Sequence, residues 1–226
     1  TISVVDDRTW YEHIGFSFHS PTVTIYLPKT EYESLVIEES TGDITLPKDF
    51  TFGRMDLSVS TGYVDCLASS LGLMRIKTST GDIRLQNLSA GELDLTVSTG
   101  HVSVQSVVCE GNVEVSVSTG KTELKDISCK SIHSEGSTGN ITLKNVVTEG
   151  TIAIERSTGD VRFEGCDADE LEISTDTGDV TGSLLSSKVF IAHSDTGRID
   201  VPETTSGGKC KITTDTGDIR IEIINE

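Results

Sequence analysis

The sequence predicts an all-β fold, a single-domain parallel β-solenoid of about ten coils, each 19 to 20 residues long. Three observations carry that prediction. A Thr-Gly pair preceded by Ser or Asp recurs with its glycine at 42, 62, 81, 100, 120, 139, 159, 178, 197 and 217, always 19 or 20 residues apart. Apolar and polar residues alternate on both sides of each glycine, which is the two-residue period of a strand. Nothing in the chain sustains the 3.6-residue period that a helix would need.

The strand after each turn is read from the positions two and four beyond the glycine, for example Ile44 and Leu46, Ile83 and Leu85, or Val102 and Val104. The strand before it is read from the positions seven and five ahead, such as Met55 and Leu57, Met74 and Ile76, or Leu93 and Leu95. Each coil is therefore expected to hold two strands with inward apolar teeth. The Thr-Gly turn joins them on one side, and a variable corner such as Ser89 to Glu92 joins them on the other. Coils stacked ~4.8 Å apart would bury these teeth around a narrow aliphatic core that no coil could form alone. Residues 48 to 201 contain no proline, so nothing there interrupts a hydrogen-bonded ladder.

At the turn itself, glycine suits a positive φ that costs other residues ~1 kcal/mol or more. The threonine before it, at 41, 61, 80, 99, 119, 138, 158, 177, 196 and 216, is never replaced. Extending the strand parity points it inward, predicting a buried threonine ladder whose hydroxyls satisfy backbone groups opened by the turn.

The repeat occupies residues 35–226, and residues 1–34 form an atypical N-terminal β cap or lead-in coil. That segment holds Trp10, Tyr11, Phe16, Phe18, Tyr26 and Tyr32, and Val23, Ile25 and Leu27 alternate within it. Sealing an open solenoid end accounts for it, with a sugar platform around Trp10 and Tyr11 as the sharper alternative. At the other end Ile219, Ile221 and Ile223 are expected to form the last strand, its edge free and guarded by Glu222, Asn225 and Glu226.

A formal charge of −18, from 36 acidic and 18 basic side chains, argues against nucleic acid and anionic lipid as partners. It leaves a neutral glycan, a cationic peptide or another protein. No apolar run reaches membrane-spanning length, so direct membrane insertion by this segment is not expected. The chain starts at Thr1 rather than Met, and any export signal or anchor is expected to have preceded it.

No catalytic constellation emerges. His13, His19, His101, His133 and His193 share no column and lack a nucleophile and carboxylate at usable spacing, while uniform coils leave no insertion to wall a cleft. Neither enzymatic activity nor a cofactor is expected. A continuous calcium ladder is excluded because Asp43, Asp82, Asp160, Asp179 and Asp218 are interrupted by Tyr63, His101, Lys121, Asn140 and Arg198 in one column. Asp176, Asp195 and Asp215 replace the usual serine in the last three turns, a patch that solvent and Arg198 would screen or a cation would bridge. An ice-binding face would need a flat Thr-x-Thr array, and Val59, Val97, Val117, Gly136 and Arg156 occupy its other row. Cys66, Cys166 and Cys210 replace Leu, Val or Ile and read as buried thiols; Cys109 and Cys129 share a column where a bridge is conceivable but poorly aimed. Asn87 and Asn140 begin chance matches to the glycosylation sequon.

The Ser-Thr-Gly-Asp-Ile-x-Leu element at Ser40 to Leu46 and Ser79 to Leu85, with Tyr26 to Lys29 and Leu35 to Ile37 ahead of it, resembles the bacterial adhesin-type β-solenoid domain, a family of unknown function. The resemblance covers roughly residues 22 to 226. It implies a β-solenoid, an extracytoplasmic or cell-surface setting behind an anchor or after secretion, and in some relatives a link to envelope stress. It transfers no catalytic residues. The expected role is a non-catalytic adhesive or scaffold module contacting a protein or glycan at the envelope. A regulatory sensor of envelope stress, binding a cationic peptide or partner protein, is the alternative.

Overall fold

The computed structural model describes residues 22–28 and 30–224. The cap residues Trp10, Tyr11, Phe16 and Phe18 lie outside them, as do Asn225 and Glu226. Nineteen strands make up the described chain. They begin with β1 (Tyr32–Thr41), β2 (Ile44–Leu46), β3 (Thr51–Thr61), β4 (Val64–Cys66), β5 (Ser69–Thr80) and β6 (Ile83–Thr99). The middle coils contribute β7 (Val102–Cys109), β8 (Asn112–Thr119), β9 (Thr122–Cys129), β10 (Ser131–Thr138), β11 (Ile141–Thr148) and β12 (Thr151–Thr158). The rest are β13 (Val161–Cys166), β14 (Glu170–Thr177), β15 (Val180–Leu184), β16 (Lys188–Thr196), β17 (Ile199–Asp200), β18 (Gly208–Thr216) and β19 (Ile219–Ile223).

All pairing between strands is parallel, as stacked coils require, and it forms two walls. One runs β1, β3, β5, the second half of β6, β8, β10, β12, β14, β18, β16. The other runs β2, β4, the first half of β6, β7, β9, β11, β13, β15, β19, β17. The inward teeth behave as their alternation dictates: Met55, Leu57, Ile76, Ile83, Leu85, Leu95, Leu124 and Ile141 are all essentially inaccessible to water.

The far side of the coil has an extra bend. Asn87, Ser106, Asp126, Asn145 and Gly165 take φ between 50° and 62°, a conformation that Asn, Asp and Gly tolerate best. The next residue in each coil, Leu88, Val107, Ile127, Val146 or Cys166, then turns into the core. The single variable corner expected there is thus two bends with a third buried face between them, which gives the coil three sides.

Two expectations fail. The ten threonines before the glycines are exposed, not buried. The chain bends between the third and first residue ahead of glycine, and the pairing register skips the residue between them, as in Val59↔Thr78 followed by Thr61↔Thr80. Strand parity therefore stops at the third position, and that residue does the work assigned to the threonine. Thr78, Thr175 and Thr214 donate their hydroxyls to the carbonyls of Gly62, Gly159 and Gly178 at 3.3, 3.3 and 3.2 Å, and Ser194 donates to the Gly217 carbonyl at 2.9 Å. The glycine's role is stricter than positive φ alone. At Gly120, with φ 145°, a Cβ would lie 1.7 Å from the Gly100 carbonyl oxygen.

The second failure concerns the C-terminal end. β18 and β19 do not form the last coil but lie between the coil of β14 and β15 and that of β16 and β17. Ile219 is 0% exposed and Ile221 4%, whereas Ile199, on the true outer coil, is 46% exposed. The free edge belongs to β16 and β17. Segment 201–207 carries the chain back one level, so β17 keeps only two residues. Close approach marks the insertion: a Cβ on Gly208 would lie 1.7 Å from the Asp169 carbonyl oxygen.

At the N-terminal end residues 22–28 form no strand, and Val23, Ile25 and Tyr26 are exposed. Tyr32 hydroxyl donates to the Pro28 carbonyl at 2.8 Å. Its ring packs on Phe52 at 5.9 Å between centroids, and Phe52 stacks with Phe50 at 6.1 Å.

Candidate functional site

The column after each glycine carries structure rather than an ion. Asp43, Asp82, Asp160, Asp179 and Asp218 each accept a hydrogen bond from the backbone N–H of the corresponding residue one level away, namely Tyr63, His101, Asp179, Asp218 and Arg198. Asn140 Oδ1 accepts from the Asp160 N–H at 3.0 Å, and His101 Nδ1 accepts from the Lys121 N–H at 3.2 Å. An acceptor two bonds beyond Cβ reaches the next coil's amide, so Asp, Asn and one His serve alike.

Because of the inserted coil, the acidic patch stacks in the order Asp176, Asp215, Asp195. Its neighbouring nitrogen groups are His193, whose Nε2 lies 2.9 Å from Asp195 Oδ1, and Arg220, 3.6 Å from Asp218 Oδ2. Arg198, expected to screen the patch with its side chain, contributes its backbone N–H to Asp218 instead. Among the described residues, no group of three His, Cys, Asp or Glu side chains is placed to hold a metal ion.

All five cysteines are buried free thiols, Cys109 and Cys129 included. Burial pushes the thiol of Cys66 up to about 11 and those of Cys129 and Cys210 up to about 12, which keeps them protonated at neutral pH. Such thiols are inert packing groups.

A more distinctive surface lies on the wall built from β6, β8, β10, β12 and β14. The residues six and four ahead of glycine point outward there and bring Asp94, Glu114, Glu135, Glu155 and Glu172 onto one face. The outer members are neutralised: Arg75 pairs with Asp94 and Lys211 with Glu172, each at 2.8 Å. Among the described residues the central Glu114, Glu135 and Glu155 make no ion pair with a lysine or arginine, and Glu135 lies close enough to the buried Arg156 for the two charges to interact. Glu135 accepts only the Ser116 hydroxyl, at 3.0 Å.

Two open depressions of about 390 and 250 Å³ occupy this stretch and share Ser116 and Glu135. The larger has serines along its sides, including Ser118, Ser137 and Ser157, with Glu155 and Asp176 at its rim. The smaller adjoins Glu114 and His133.

Among the residues lining the larger depression is Arg156, in a corner column that also holds Glu39, Val59, Thr78, Val97, Val117, Gly136, Thr175, Ser194 and Thr214. It is 5% exposed. Two small residues accommodate it: Ser134, where adjacent coils have Val115 and Ile154, and Gly136, whose Cβ would sit 2.8 Å from Arg156 Nη1. Nη2 donates to Ser134 Oγ at 2.8 Å and Nη1 to the Glu155 carbonyl at 3.0 Å. Burial lowers the guanidinium to about 10 while Glu135 opposes the shift, so it remains a cation at neutral pH.

In the sequence Gly136 and Arg156 stand out only as interruptions of a Thr-x-Thr row, and Ser134 as a polar residue in a column of apolar teeth. Three polar or small residues at adjacent core positions were the available signal. One family model, described as Toastrack DUF4097, matches residues 1–116 and again residues 110–226, so the two matches together span the chain. No curated protein and no solved structure matches it.

Proposed function

The chain belongs to the Toastrack DUF4097 family, a domain of unknown function, and from that premise we propose that it is a non-catalytic interaction module docking a cationic peptide or protein on its acidic lateral wall. The observation that supports this reading is the group Glu114, Glu135 and Glu155, which crosses three successive coils with no lysine or arginine in ion-pair contact among the described residues. Glu135 stacks directly against Glu155, while Glu114 is in register with His133 and sits on a diagonal from Glu135; two exposed like charges ~4.8 Å apart repel by about 0.9 kcal/mol in water. A partner bearing lysines or arginines at matching intervals relieves that repulsion, and its approach is accelerated by the −18 field. We place the module at the cell envelope, where both an adhesive scaffold and a sensor of cationic peptides would meet such partners.

A lysine-rich peptide titrated against the protein by calorimetry tests this. Binding that weakens as salt rises and is lost in the triple variant Glu114→Gln, Glu135→Gln, Glu155→Gln is the expected result. Binding indifferent to the variant would overturn the assignment of this face. A neutral glycan is the second reading, favoured by the serine hydroxyls lining the larger depression, and an oligosaccharide array addresses it directly.

A further inference from the structure

Arg156 is a charged side chain buried at a wall position that most coils fill with valine or threonine. Its guanidinium has five N–H donors, and two are used, on Ser134 Oγ and the Glu155 carbonyl. No carboxylate ion-pairs with it among the described residues. Lys188, the other deeply buried cation, shows the usual arrangement, with its Nζ 2.7 Å from Asp167 Oδ1. That contact is missing at Arg156, where Glu135 favours the charged guanidinium only from beyond ion-pair distance, and filling space does not require the charge, since Val117 fills the same position two coils away.

Arg156 is among the residues lining the 390 Å³ depression, and its guanidinium occupies the space that a side chain on Gly136 would take. That volume falls within the roughly 300–1,000 Å³ of small-ligand sites. A guanidinium fork is matched to a carboxylate, which it can bind through two parallel hydrogen bonds. A free anion would, however, meet Glu135, Glu155 and Asp176 around the rim. The ligand that satisfies both Arg156 and the rim carries a carboxylate at its tip and cationic groups just behind it.

We propose that this depression captures the C-terminal carboxylate of a basic peptide, with Arg156 as the anchoring group and the rim carboxylates receiving the lysine or arginine side chains that precede the terminus. This rests on the acidic wall being the docking face. It adds polarity to that reading: the peptide is held by its end, and its chain runs away along the wall past Glu135 and Glu114.

The test compares one lysine-rich octapeptide ending in a free carboxylate with the same peptide amidated, by calorimetry on the intact chain at about 0.15 M salt. General electrostatics favour the amide, which lacks the terminal negative charge and so has a net charge one unit more positive facing an acidic protein. The carboxylate anchor predicts the reverse, with the free acid about tenfold tighter. In the double variant Arg156→Val, Ser134→Val, which restores valine to both positions, the preference should vanish while the amide still binds. Retained amide binding shows that the variant is folded. Equal binding of both peptides to the native chain, or tighter binding of the amide, overturns the anchor and leaves the acidic-wall reading standing. A free-acid preference that survives the double variant overturns the role of Arg156. Failure of both peptides to bind overturns the wall reading and the anchor together.

Discussion

The Asp179 carboxylate accepts a hydrogen bond at 2.8 Å from the backbone N–H of Asp218, 39 residues further along the chain. Elsewhere in this column the same bond spans 19 or 20 residues, as from His101 to Asp82 or from Tyr63 to Asp43. One contact therefore reports both what the post-glycine carboxylates do and how the last two coils are ordered.

Removing that acceptor should be costly in a way that removing its neighbour is not. Asp179→Ala is expected to lower stability by about 1 kcal/mol, because an amide between coils loses its partner. Asp176→Ala, which deletes an exposed charge stacked beside Asp215, should change stability by less than about 0.5 kcal/mol in either direction. Urea unfolding of the two variants decides between a structural and an ion-binding origin of the acidic columns.

The threonines separate in the same manner. Thr119→Ala, in the exposed row, should be neutral within about 0.5 kcal/mol. Thr214→Val, which deletes a buried hydroxyl bonded to the Gly178 carbonyl, should cost about 1 kcal/mol. Thr122→Val should instead stabilise by about 1 kcal/mol, since its buried hydroxyl has no partner. Thermal melting of the three variants would show this order, and a costly Thr119→Ala would count against the corner geometry.

The inserted coil has a chemical signature. Lys211 Nζ lies 2.8 Å from Glu172 Oε1 across 39 residues, so carbodiimide activation should join them directly as an amide. Mass spectrometry of the digest should recover that pair. If the coils stacked in chain order, a whole coil would separate these groups and the product would be absent.

Acid should weaken a specific ion pair. Burial alone would raise the Asp167 carboxyl, but hydrogen bonds from Lys188 and Ser186 outweigh it and hold the group below its ordinary 3.8. A carboxyl depressed in the folded state contributes stability above its unfolded value and loses it as pH falls through the folded one. Asp167→Asn should therefore cost about 3 kcal/mol at pH 7, where it strands the buried Lys188, and progressively less below pH 3.8. Urea midpoints of both proteins across that range measure the difference.

The period, the inward teeth and the glycine turns were legible because each is written ten times, and strand alternation translates directly into burial. The corner was not, because alternation holds only while the backbone stays extended. Between Val97 and Thr99 the direction changes, and the parity that places Leu93, Leu95 and Val97 inside says nothing about the next residue. Coil order was hidden for a different reason. Gly197 and Gly217 are a normal 20 residues apart, and Cys210 and Ile212 fit against Leu171 and Ile173 as well as against Phe190 and Ala192. Interchangeable teeth give the sequence no means of stating which coil is outermost. The candidate site was hardest to see, because Ser134, Gly136 and Arg156 come from two coils and acquire meaning only when stacked.

The inserted coil also sets how the solenoid responds to load. Tension applied at Ile224 pulls on β18 and β19, which are gripped by a ladder on each flank rather than by one. Peeling from the tip, the easy way to unravel a stack of coils, is closed to a force arriving from that end. The layer must be torn out against two sets of hydrogen bonds, and the exposed coil of β16 and β17 loses its only support when that happens. The outer coil of β16 and β17 is thus shielded from that tension by a layer held on both flanks.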